Sequence, residues 1–93
     1  MQRDIQYDSL ETFVDTISQF GVTTVVIGVT DEIRSRHVEG TLYGLGRHRF
    51  LEVLAYSDST LHKCTLHEAD PDEVESILRE KGFSTSRKDR NIV

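Results

Sequence analysis

Ninety-three residues, 37% of them apolar and 29% charged, with a single proline, are enough for one folded domain spanning 1–93 and too apolar for a disordered chain. The net charge of −5 argues against nucleic acid as a partner, because cationic contacts to phosphate supply most of that affinity. One cysteine, Cys64, excludes an internal disulfide; the longest apolar run, Val25 to Val29, is far short of the ~20 residues that cross a bilayer, and the first residues lack an apolar signal core, so a cytoplasmic, membrane-free protein is expected.

Taken in order, Ile5 and Tyr7 alternate with polar neighbours and predict a short strand over 3–7. Asp8, with Glu11 three residues later, is expected to cap a helix whose apolar stripe is Leu10, Phe13, Val14, Ile17 and Phe20 and which closes on Gly21. Val22 to Thr30 is β-branched and apolar on both parities, the pattern of a central strand. Asp31 to Arg36 reads as a charged connection. Two further strands follow, around Val38–Tyr43 and Phe50–Tyr56, with a hairpin turn expected at Gly44-Leu45-Gly46. After a polar turn at Ser57-Asp58-Ser59 comes a strand over Leu61–Glu68. Asp70 caps a second helix with Pro71 in its first turn, Val74, Ile77 and Leu78 on its buried face, and Gly82 at its end. Phe83 to Val93 predicts a terminal strand at a sheet edge.

The resulting order is β-α-β, a β-β hairpin, then β-α-β. It resembles the ferredoxin-like plan with one hairpin added, which implies an α+β two-layer sandwich: a mostly antiparallel sheet with two helices on one face. That plan hosts many functions and indicates none by itself. Acylphosphatases share it, but Gly40 is followed by Thr-Leu-Tyr-Gly with no arginine, and Asn91 is the only asparagine.

Three groups of residues offer chemistry. His62, Cys64 and His67 supply imidazole and thiolate, ligands suited to zinc or copper, with His62 and Cys64 on one side of a strand. His67 has the opposite parity, and a fourth ligand such as His37 or His48 must come from elsewhere; a strand with a small core cysteine explains the same residues. Gly44, Gly46, Arg47 and Arg49 suggest a turn whose N–H groups and guanidiniums cradle an anion, although neither nucleotide fingerprint is present and a plain hairpin needs the same glycines. Arg34, Arg36 and His37 form a second basic cluster, placed about 30 Å from Arg47 if the hairpin pivots at Leu45; the tail residues Arg87, Lys88 and Arg90 are the only ones expected to reinforce either cluster.

No motif implies a cofactor or a catalytic nucleophile. The expectation is a small non-enzymatic binding domain that self-associates through its sheet, because two helices cover only one face and the other must meet a second copy or a protein partner. The alternative is a metal- or anion-responsive module built on His62, Cys64 and His67 or on the Gly44–Arg49 segment.

Overall fold

A computed structural model describes the backbone of residues 3–92 and the side chains of residues 3–89. Five strands and two helices follow in the order β1 (Arg3–Tyr7), α1 (Leu10–Gln19), β2 (Thr24–Val38), β3 (Thr41–Ser57), β4 (Thr60–His67), α2 (Pro71–Glu80) and β5 (Ser84–Ile92). Val93, the last residue of the expected terminal strand, and the Arg90 side chain lie outside the described residues.

The helix ends are chemical stops. Ser9, one residue later than the expected Asp8, caps α1 by accepting from the Thr12 N–H at 3.2 Å, while Asp70 caps α2 by accepting from the Asp72 N–H at 3.0 Å. At the other ends Gly21 and Gly82 take positive φ, and the N–H groups of Val22 and Phe83 reach back to the carbonyls of Ile17 and Leu78. Such a left-handed residue lets the chain leave the helix with its last carbonyls satisfied.

The sheet corrects the expected architecture. Its order is β1-β4-β3-β2-β5, with β1 parallel to β4 and β2 parallel to β5, so β3 alone runs against the other four strands. This is a mixed sheet, not a mostly antiparallel ferredoxin-like sandwich. Each helix carries the chain back across the sheet and delivers the next strand in the original direction, to an inner position for β2 and to the edge for β5; only the two tight turns, at Glu39-Gly40 and Asp58-Ser59, reverse it.

The hairpin also differs from the expected one. Its turn is Glu39-Gly40, both at positive φ (52° and 81°), the geometry that suits a two-residue connection between twisted strands. The charged segment from Asp31 therefore continues β2, and the two strands expected on either side of Gly44 are one strand, β3. Gly44 and Gly46 flank a bulge at Leu45, where the register shifts from Arg34–Gly46 to Ser35–Gly44 and Gly46 holds φ +87°. Glycine here accommodates an interrupted ladder, a role that composition alone does not separate from a turn.

Both helices pack on one face. Phe13, Val14 and Ile17 of α1 and Val74 and Leu78 of α2 join Val25, Ile27 and Val29 of β2, Leu51, Val53 and Ala55 of β3, and Cys64 of β4 in a single core. The reverse face is mixed. Val26, Phe50, Leu54 and Leu61 are half-buried there and Tyr56 is exposed, but Glu52 and Lys63 pair at 3.3 Å in their midst and Gln6 meets Thr65 at 3.3 Å. The apolar reverse that the strand count implied is, among the described residues, interrupted by these polar pairs. None of the helices in the described residues is long and apolar enough to cross a membrane.

Leu51 is fully buried at the centre of the sheet. Truncation to Ala is expected to lower the free energy of unfolding by about 2–5 kcal/mol, read from urea titrations.

Candidate functional site

Beyond the body of the sheet, β2 and β3 continue as a two-stranded ribbon. The pairing of β5 ends at Glu32–Ile92 and that of β4 at Phe50–His67, so among the described residues Ile33–Val38 and Thr41–His48 have only each other. At ~3.3 Å per residue the ribbon projects roughly 20 Å. It stretches the molecule to 54 Å in its long dimension and gives a radius of gyration of 15.9 Å, against the ~12 Å of a compact chain this size. Five of the seven large exposed apolar side chains are on it: Ile33, Val38, Leu42, Tyr43 and Leu45, all between 41% and 59% exposed.

The root of the ribbon is polar. Asp31, 15% exposed in its side chain, faces Arg47 at 3.6 Å and Arg49 at 3.4 Å. An open groove of about 440 Å3 lies beside them, bounded across the gap by Glu68, Ala69 and Asp70. A second depression of about 290 Å3 continues past Asp31 to Asp72, Arg87 and Asp89. Asp31 Oδ1 is buried and makes no hydrogen bond. Next to this groove Glu68, held at φ +58°, accepts from His48 Nδ1 at 2.7 Å and from the Arg49 N–H at 3.4 Å, while His48 Nε2 lies 3.3 Å from His67 Nδ1. The two imidazoles stack at 5.3 Å and Phe50 packs against both, pinning the ribbon's root to the end of β4.

The expected anion cradle takes a different form here. Arg47 and Arg49 do converge, but on the carboxylate of Asp31; Gly44 and Gly46 lie further out along the ribbon and form no turn. The basic clusters are closer than the misplaced turn implied: Arg34 pairs with Gly46 and Arg36 with Tyr43, putting Arg34 next to Arg47's rung.

The expected metal ligands are separated. His62 and Cys64 share the buried face of β4, each 1% exposed or less, whereas His67 is exposed at the strand end beside His48. His37 is out on the ribbon opposite Leu42. Among the described residues no group of three His, Cys, Asp or Glu side chains is arranged to hold a metal ion. His62 is instead a core residue: its Nδ1 shares a hydrogen bond of 2.6 Å with the Tyr7 hydroxyl, and its ring lies between those of Tyr7 and Phe20, while Nε2 has no partner. The Cys64 thiol is pushed up from its ordinary pKa of 9.0, first by burial and then by the negative charge of Asp8.

The His48, Glu68 and His67 cluster escapes a reading of the sequence because it depends on register. The β3–β4 ladder, closed by the turn at Asp58-Ser59, aligns Phe50 with His67, and the left-handed Glu68 just past the end of β4 turns back to His48. No protein-family model matches this chain, and no curated protein matches it.

Replacing Tyr7 with Phe leaves both nitrogens of a buried imidazole without partners, and a loss of about 1–3 kcal/mol in chemical denaturation is expected. Since the folded-state pKa of Cys64 lies above that of the unfolded thiol, the unfolded chain binds fewer protons at high pH, and stability falls as pH rises past 9.0. The Cys64→Ala variant is expected to lack that part of the alkaline slope in denaturation curves recorded across pH.

Proposed function

We propose that this protein is a non-enzymatic assembly domain that binds a second copy of itself, with the projecting β2–β3 ribbon as its contact element. One observation carries the reading: large apolar side chains are concentrated on a structure that has no second layer to cover it. A hairpin standing alone in water is marginally stable. This one nevertheless keeps Ile33, Val38, Leu42, Tyr43 and Leu45 half-exposed along its length, which is the arrangement of a surface completed by association.

The magnitudes favour a moderate affinity. Ten half-exposed side chains in a pair of copies contribute on the order of 10 kcal/mol at ~25 cal/mol per Å2, against ~4–15 kcal/mol of lost translational and rotational freedom. The surplus is about 6 kcal/mol at best, so association no tighter than tens of micromolar follows. The setting we assign is the cytoplasm, consistent with a lone buried thiol and acidic surface.

Light scattering coupled to size exclusion is expected to show a dimer at high micromolar concentration that dissociates on dilution. The double variant Leu42→Asp, Tyr43→Asp is expected to stay monomeric at every concentration with an unchanged circular dichroism spectrum. A wild-type protein that remains monomeric at high micromolar concentration overturns the reading.

A further inference from the structure

We propose that His48 and His67 together bind a divalent late first-row transition metal ion, copper(II) most tightly, one ion to each chain. Both ligands come from a single copy, so the proposal goes beyond the assembly reading and does not depend on it.

The ladder brings the two side chains together. His67 pairs with Phe50 at the end of β4, and His48 stands two residues from Phe50 on β3, so the histidines are diagonal neighbours on the reverse face of the sheet. Aromatic side chains reach one another across that diagonal. Here the approach is nitrogen to nitrogen, with His48 Nε2 3.3 Å from His67 Nδ1. That is longer than the ~2.7–3.2 Å usual for an N–H hydrogen bond. It is also the separation of two ligands on one ion, since nitrogens ~2.0–2.1 Å from a tetrahedral centre lie about 3.3–3.4 Å apart.

The proton on His48 is already on the far side of the ring. Glu68 Oε1 lies 2.7 Å from His48 Nδ1, and a carboxylate only accepts, so Nδ1 carries the proton of the neutral imidazole and Nε2 keeps its lone pair. A carboxylate behind the ring is how metal-ligating histidines are held, because it fixes the tautomer and makes the opposite nitrogen a better donor to the metal. Glu68 is held in turn by the Arg49 N–H at 3.4 Å. When an ion enters, the proton between the two histidines moves to the other nitrogen of the His67 ring, and each neutral imidazole gives one lone pair to the metal.

The donor set decides which ion fits. Calcium and magnesium take oxygen ligands, whereas imidazole suits copper, nickel and zinc, and affinity among divalent ions peaks at copper(II). His67 is exposed and the His48 side chain is 19% exposed, so an ion reaches the pair from solvent. Phe50 packs against both rings at 5.7 and 6.1 Å and limits their rotation. Two protein ligands leave the remaining positions to water, which separates this site from a closed structural centre and accords with the lack of any three-ligand group among the described residues. The other histidines offer no equivalent. His62 Nε2 has no partner but is sealed in the core, and His37 is out on the ribbon opposite Leu42.

The test is a titration of tag-free protein with copper(II) chloride, followed by calorimetry and by electron paramagnetic resonance. One copper per chain is expected to bind at micromolar concentration, with the spectrum of two coordinated imidazole nitrogens. His48→Ala and His67→Ala are each expected to weaken binding about tenfold or more and to leave one such nitrogen, since each removes half of the protein's donor set. His37→Ala is expected to bind as the wild type does, and Cys64, fully buried, takes no part. If His48→Ala fails to fold, the exposed His67→Ala and the wild-type spectrum decide the matter by themselves. Binding that is unchanged in His67→Ala, a wild-type spectrum with fewer than two imidazole nitrogens, or no binding at high micromolar copper overturns the proposal.

Discussion

The antiparallel ladder between β2 and β3 is the constraint on which the rest of this molecule depends. These are the two longest strands, they occupy inner positions of the sheet, and both parallel ladders are attached to their flanks, β5 directly to β2 and β1 through β4 to β3. Antiparallel strands exchange hydrogen bonds perpendicular to their axes and need only a two-residue turn to meet. The core then assembles on one side of this pair, where Ile27 meets Val53 and Val29 meets Leu51 under the two helices. The same ladder runs on past the point where its neighbours stop, so one continuous element is structural spine at one end and unsupported surface at the other.

That continuity explains which parts of the architecture are legible in the residues. The helices announce themselves, because capping groups, apolar spacing and a terminal glycine are local signals that agree with one another: Asp70, Pro71 and Gly82 sit where local chemistry puts them. Strand pairing is not local. Arg34 and Arg36 lie in a ribbon wetted on both sides and Asp31 pairs with two arginines at its root, and charge in those positions imitates a loop. Gly44 and Gly46 imitate a turn because a bulge draws on the same backbone freedom. Once the turn is misplaced, every cross-strand neighbour is misplaced with it, and the distances between the arginines go wrong.

The chemistry of the polar clusters follows the same division. His62 and Cys64 have the parity that sequence suggests, and that parity leads inward, where burial makes a hydroxyl partner more useful than a metal to one and keeps the other a neutral thiol. His48, His67 and Glu68 come together through the ladder between β3 and β4, and their contacts fasten the root of the ribbon to the end of β4. Glu68 takes a left-handed backbone to reach both His48 and the Arg49 N–H. A strained residue of this kind persists where its surroundings over-determine it.

The bulge at Leu45 also bears on how far such a chain can polymerise. An open strand edge is a template for adding further strands without limit, the route by which sheets grow into fibres. Along the outer edge of β3 the extra residue throws any incoming strand out of step halfway to the tip, and along the outer edge of β2 the side chains of Arg34 and Arg36 make an identical neighbour repel itself. A protrusion that is sticky on its face is thereby made unreceptive along its sides, and endless lateral stacking is closed off by a single inserted residue and two cations.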